Sequence, residues 1–275
     1  MLRIDAHQHF WQLNRGDYHW LTPELTPLYR DFLARDLQPL LERAGVSKTV
    51  LVQAAASVEE TEYMLDLAET TDFIAGVVGW VDMEQKGSVE TLERLASHSA
   101  LKGIRPMIQD IVDPRWMLKP ELDAIFSVLI ERGLSFDALI TPSHLDALEV
   151  LLGRYPQLKV VIDHAAKPNI TRGMDEPWRK KISRIAANSH AYCKLSGLIT
   201  EAGEHGSFDD LTPYLSHLLS SFGADRLMWG SDWPVLTLAA SYDDWVGASE
   251  AFIGRLDDAQ QAAIWGKTAQ AFYNL

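Results

Sequence analysis

The chain has 275 residues, 47% of them hydrophobic, a formal net charge of −13 and a single cysteine, Cys193. That length admits one large α/β domain or two small ones, and the acidic balance without a Lys/Arg-rich stretch argues against a nucleic-acid partner. One cysteine excludes an internal disulfide framework and fits a reducing cytoplasm, and no apolar run reaches the roughly 18 residues a membrane span needs.

The N-terminus shows no basic segment ahead of an apolar core, so export is not expected. The first element is the strand-like stretch RIDAHQHF. In an extended strand His7 and His9 share a face about 7 Å apart. Two imidazoles so placed could grip one metal ion or one ligand. An exposed pair without function has the same local pattern, so the other strand ends must decide.

DFLARDLQPLLERAGV then reads as a helix, with Leu37, Leu40, Leu41 and Ala44 at three/four spacing. TVLVQA (49–54) is a buried strand, and SVEETEYMLDLAETT a helix for which Ser57 and Glu60 predict a capping box. FIAGVVGWVD and SVETLERLASHSA form the third strand and helix; LKGIRPMI and KPELDAIFSVLIERG the fourth. LSFDALIT with PSHLDALEVLLGRYP, LKVVIDHAA with EPWRKKISRIAANS, and AYCKLSGL with DLTPYLSHLLSSFG continue the alternation. RLMWGSDWPV is the eighth strand, and DDAQQAAIWGKTAQAFYNL reads as one amphipathic closing helix. Near-continuously apolar strands alternating with helices indicate a parallel sheet covered by helices. Eight such units in about 250 residues predict a single (β/α)8 barrel domain over residues 1–275. The rival, an open doubly wound sheet, lacks its Gly-rich turn after the first strand.

A barrel carries its site at the C-terminal ends of its strands. There the sequence offers His7 and His9, Gln53, Trp80 and Asp82, Arg105, Asp137, then Asp163, His164 and Lys167, Lys194 and Ser196, and finally Asp232 and Trp233. Buried charges persist mainly where they pair with one another, a metal or a ligand. Asp137 and Asp163 also suit loop capping, Lys194 a structural ion pair, and Lys167 and Asp82 a solvated loop. His7, His9, His164 and Asp232, delivered to one rim by three strands, predict a functional cluster.

DAHQHFW, GIRP, DHAAKP, KLSGL and GSDWPV, in that order, resemble the amidohydrolase superfamily. More narrowly they resemble its sugar-lactonase branch, which includes L-fuconolactonase- and L-rhamnonolactonase-like enzymes. The resemblance runs from His7 to the terminal AFYNL and implies hydrolysis of a sugar-acid lactone, a small-molecule substrate. Many binuclear members carry a lysine at the end of strand four and a histidine on strand five. Here those ends hold Arg105 and the Phe136–Asp137 pair, so the resemblance implies at most one divalent ion, zinc by ligand type, on His7, His9 and Asp232. A metal-independent site is the open alternative.

Lactone hydrolysis needs an activated water, charge stabilisation at the carbonyl oxygen and a proton for the leaving alkoxide. Asp232 is the expected general base. Without a metal, His164 and Arg105, with His7 and His9, are expected to supply positive potential at the developing oxyanion. Gln53, Trp80, Asp137, Lys194 and Trp233 are the expected substrate-binding residues, the two tryptophans as walls for the sugar ring. A metal-dependent decarboxylase or other hydrolase of the superfamily, and a non-catalytic barrel binding a sugar acid, remain alternatives. The sequence leaves room for a homo-oligomer without specifying one.

Overall fold

A computed structural model of the chain describes residues 1–203 and 205–275. Its eight strands are β1 (Ile4–Gln8), β2 (Lys48–Val52), β3 (Ile74–Gly79), β4 (Leu101–Ile104), β5 (Ser135–Ala138), β6 (Lys159–Ile162), β7 (Tyr192–Leu195) and β8 (Leu227–Trp229). They form one sheet in chain order, with every neighbouring pair parallel. Each return through a helix imposes that parallel sense. The sheet is a nearly closed barrel. Its seam is drawn together just beyond β8, where Gln8 bridges Trp233. There His9 N–H donates to the Trp233 carbonyl at 2.7 Å, and Asp232 N–H donates to the His7 carbonyl at 2.8 Å.

The outer ring consists of α1 (Ala34–Ala44), α2 (Val58–Thr70), α3 (Ser88–Leu95), α4 (Asp123–Arg132), α5 (Leu145–Arg154), α6 (Glu176–Asn188), α7 (Phe208–Phe222) and α8 (Tyr242–Ile253). In α1 the expected stripe is present: Leu37 and Leu41 are buried, while Leu40 and Ala44 pack half-buried on the same core. Each fully buried leucine contributes about 2 kcal/mol from apolar area. At the start of α2 half of the expected capping box forms. Ser57 accepts from Glu60 N–H at 3.1 Å, but the Glu60 carboxylate turns to the amides of Ala54 and Ala55 instead.

Two segments differ from the sequence expectation. SYDDWVGASEAFI, unassigned by periodicity, is α8, started by a reciprocal Ser241–Asp244 capping box. The closing helix is broken into α9 (Asp258–Ala262), a π-helical turn over Ala263–Lys267, and α10 (Thr268–Tyr273). The π turn buries Ala263 to Gly266 together, a packing demand that a uniform 3.6-residue repeat does not meet. Behind it, Phe272 and Tyr273 join Ile4, Ala6, Val50, Val52, Val78, Val161 and Met228 in one buried cluster. Lys102 Nζ and Lys159 Nζ donate to the Asn274 and Phe272 carbonyls. The C-terminus therefore plugs the N-terminal end of the barrel, opposite the polar rim.

All eight strands are shorter than their apolar runs. LKVVIDHAA, for example, is extended only to Ile162, after which Asp163–Ala166 turns over. The polar tails leave the ladder to form the site.

Candidate functional site

The site begins where β1 and β8 meet. Asp5, fully buried, accepts from His7 N–H at 3.2 Å and from Ser231 N–H at 2.8 Å through Oδ1. Its Oδ2 accepts from the Tyr242 hydroxyl at 3.1 Å. Burial pushes this carboxyl up to about 6, against those hydrogen bonds. One side chain thus ties the turn after β8 to β1. Gly230 permits the approach, since a Cβ there would stand 2.8 Å from His7 Cβ. Asp232 follows with φ 59°, a left-handed conformation that costs a non-glycine residue about 1–3 kcal/mol unless its surroundings enforce it.

Around Asp232 the imidazoles converge. His9 Nε2 lies 3.2 Å from Asp232 Oδ1, His7 Nε2 lies 3.6 Å from it, and His164 Nε2 lies 3.8 Å away. His7 and His9 face each other, Nε2 to Nε2, at 3.2 Å. Burial acts to raise the Asp232 carboxyl, but His164, His9 and His7 outweigh it and hold the group below the usual carboxylate range. Burial pushes His164 down to about 4, with Lys167 and Arg105 adding to the shift against Asp232 and Asp163. His7 is likewise depressed, by burial and then by Lys194. At neutral pH this sets an ionised Asp232 beside uncharged His7 and His164.

His164 is delivered by an unusual turn: His164, Ala165, Ala166 and Lys167 all have φ between 50° and 60°. The turn is anchored by Trp178, whose indole N–H donates to the Ala165 carbonyl at 2.8 Å, and by Ser196 Oγ, 2.9 Å from His164 Nδ1. Gly197 of KLSGL makes room for the ring, because a Cβ there would stand 2.5 Å from His164 Nδ1.

Beneath this cluster lies a buried ionic network. Lys194 Nζ is 2.7 Å from Asp137 and 3.0 Å from Asp163, with all three side chains inaccessible. It also lies 3.2 Å from His7 Nδ1. Asp137 accepts from Ser135 at 2.6 Å and from the Tyr273 hydroxyl at 2.5 Å. Burial raises Asp137 despite Lys194. At Asp163 burial is outweighed by Lys194, His7 and Arg105, and the group stays well below its ordinary range. Arg105 Nη1 is 3.6 Å from Asp163 and its Nη2 donates to the Gln53 carbonyl.

Above the cluster opens a cavity of about 260 Å³. His9, Arg105, His164 and Asp232 line it, with Trp20, Ala54, Met107, Leu139 and Val235 as largely apolar walls and Gln109, Asp110 and Lys167 as further polar groups. His7 sits behind them, fully buried. None of the five residues expected to bind substrate lines this cavity. Gln53 spends its amide N–H groups on the Arg105 carbonyl and Met107 Sδ. Asp137 and Lys194 neutralise each other inside the barrel. Trp233 packs edge-on against Phe10 and Phe32, and Trp80 is held through its backbone by Thr61. For Gln53, Asp137, Lys194 and Trp233 the strand end delivers the residue to the rim, but the side chain is consumed by a neighbour. Trp20 and Gln109 come from loops with no periodicity to flag them, and Met107 lies in the run LKGIRPMI past the end of β4. Asp5 carried a signal, standing two residues before His7 in DAHQH.

The His7 Nε2, His9 Nε2 and Asp232 Oδ1 spacings suit one small cation. Ligand atoms about 2.0–2.1 Å from a tetrahedral zinc stand roughly 3.3 Å apart, against 3.2, 3.2 and 3.6 Å here. His9 Nδ1 is 2.7 Å from the Val52 carbonyl; assigned as the donor there, it leaves Nε2 a free lone pair aimed at the others. These three residues could hold a metal ion, as could His7, Asp163 and His164. Among the described residues no helix is long and apolar enough to cross a membrane.

A family model described as amidohydrolase matches residues 4–275. An L-fucono-1,5-lactonase of Burkholderia ambifaria is 45% identical, covering 99% of this chain and 96% of that protein. A second L-fucono-1,5-lactonase, from Burkholderia multivorans, is 36% identical over 100% of this chain and 96% of its own length. Among solved structures, an amidohydrolase from Burkholderia multivorans with bound zinc superposes with a TM-score of 0.93 at 35% identity, covering all of both chains.

Proposed function

The chain belongs to the amidohydrolase family, and on that premise we propose that it is an enzyme hydrolysing a sugar-acid lactone, with L-fucono-1,5-lactone the first substrate to test. The observation that carries the reading is an ionised Asp232 set against His9, His164 and Arg105 on the wall of one cavity. The 45% identity to an L-fucono-1,5-lactonase gives the substrate class.

In this mechanism the lactone carbonyl sits against His9, His164 and Arg105. A water within hydrogen-bond reach of Asp232 gives it a proton as the oxygen attacks the carbonyl carbon. Arg105, buried and directed by the Gln53 carbonyl and Asp163, stabilises charge on the carbonyl oxygen. Collapse of the tetrahedral intermediate breaks the ring C–O bond, and Asp232 returns its proton to the departing alkoxide. A single divalent ion, zinc by ligand chemistry, would be held by His7, His9 and Asp232 and would polarise the carbonyl and lower the pKa of water. Cys193, buried and the only thiol, supports a cytoplasmic enzyme.

The test is a panel of aldonolactones followed by proton release, beside carboxylated aromatics followed by carbon dioxide. Rapid turnover of six-carbon or deoxy-sugar lactones is expected. Carbon dioxide release without lactone turnover would overturn the reading.

A further inference from the structure

We propose that Trp20 is the platform on which the sugar ring stacks, and that Gln109 and Asp110 form the clamp that reads its hydroxyl groups. This rests on the lactone-hydrolase reading and adds the residues that select the substrate. The reactive groups account for one set of cavity-lining residues, and the rest divide sharply by chemistry.

Trp20 is 37% exposed, a large aromatic left partly open at a cavity wall. It is nevertheless fixed. Its indole N–H donates to the Ala54 carbonyl at 2.7 Å, and its ring meets buried Trp11 edge-on, centroids 5.3 Å apart at 85°. The Ala54 peptide is in turn held by the Glu60 carboxylate at 3.0 Å. With its polar edge satisfied and its position set from behind, the indole has only a face left to offer. The C–H face of a sugar ring suits it, and an immobilised ring gives that contact at little entropic cost.

Gln109 and Asp110 come from the loop after β4. Their backbone is pinned, with Gln109 N–H donating to the Leu139 carbonyl at 3.0 Å and Asp110 N–H to the Met107 carbonyl at 3.1 Å. Among the described residues neither side chain has a protein hydrogen-bond partner, though both line the cavity. An amide that both donates and accepts, beside a carboxylate that accepts, complements adjacent hydroxyls, each a donor and an acceptor. Lys167, the other polar lining residue, faces Glu201 at 3.8 Å.

The experiment measures steady-state kinetics of Trp20→Ala, Trp20→Phe, Gln109→Leu and Asp110→Asn on L-fucono-1,5-lactone and its monodeoxy analogues. Calorimetric binding of the open acid, L-fuconate, is measured on the same proteins. Trp20→Ala is expected to raise KM about tenfold with kcat little changed, and Trp20→Phe to recover most of that loss. Gln109→Leu and Asp110→Asn should each lower kcat/KM about 2- to 12-fold. For each, the penalty should vanish on the analogue lacking the hydroxyl it contacts. Unchanged kcat/KM in all four variants, or a Trp20→Ala defect confined to kcat or thermal stability, would overturn the inference. If the wild type opens no sugar lactone but binds L-fuconate in a Trp20-dependent way, the catalytic reading fails and this one stands. If it neither turns over lactone nor binds the acid, both fall.

Discussion

Replacing Lys194 by methionine keeps the length and apolar stem of the side chain and removes one charge from the interior. The ammonium lies 2.7 Å from Asp137 and 3.0 Å from Asp163, and all three side chains are shut off from water. Without it Asp163 keeps Arg105 and His7, each at 3.6 Å, and Asp137 keeps the neutral donors Ser135 and Tyr273. Removing one partner of a buried ion pair costs about 3–5 kcal/mol, which for a chain of this size lowers Tm by about 10 °C. The pH dependence is equally specific. In the variant, burial no longer opposed by Lys194 raises Asp137 further above its unfolded value, so it binds a proton more readily in the fold. A group of that kind contributes stability below its unfolded pKa and loses it as pH rises through the folded one. The deficit should therefore be largest near pH 8 and shrink toward pH 5. Adding Asp163→Asn to Lys194→Met should restore part of the loss, because the orphaned charge is then removed. Urea denaturation at both pH values reads all three effects. A loss below about 1 kcal/mol at pH 8, or one that deepens toward acid, would refute the reasoning.

Asp232→Asn should fold and bind lactone while kcat falls on the order of 10² to 10⁴, the range for losing general acid–base catalysis; near-wild-type kcat in a folded variant would end the assignment of the base. Gly197→Ala places a Cβ 2.5 Å from His164 Nδ1 at a φ of +62°. It should cost about 1–2 kcal/mol of stability and, by displacing the imidazole, about 10²-fold in kcat, both read on one preparation by thermal melting and initial rates. Elemental analysis should find at most one divalent ion per chain, lost on joint His7→Ala and His9→Ala substitution, whereas two tightly held ions would contradict the ligand set. Burial raises the Glu60 carboxyl to about 7 from 4.5, so its folded form contributes stability that fades as pH rises through that window. The stability advantage of wild type over Glu60→Gln should therefore shrink by about 2–3 kcal/mol between pH 5 and pH 8, and urea midpoints that keep a constant gap would exclude it.

The sequence by itself determined the barrel and the histidine–aspartate cluster at its rim. Alternating strand and helix patterns are local and short-ranged, and eight of them leave little choice of architecture. His7, His9, His164, Arg105 and Asp232 were legible because a barrel projects its strand ends to one rim, so placing a residue on its strand already places it near the site. Tertiary structure alone decided which rim side chains remain free. Gln53, Asp137, Lys194 and Trp233 occupy the right ends, yet partners distant in sequence consume them: Arg105 and Met107 for Gln53, Tyr273 for Asp137, Phe32 for Trp233. Trp20 and Gln109 reach the cavity from loops, where no periodicity marks direction and position depends on hydrogen bonds to Ala54 and Leu139. The π turn in the closing helix is the same kind of case, since its buried face is set by the barrel it plugs. Local pattern fixes elements because their hydrogen bonds close within a few residues, but satisfying a buried polar group is a condition on the whole fold.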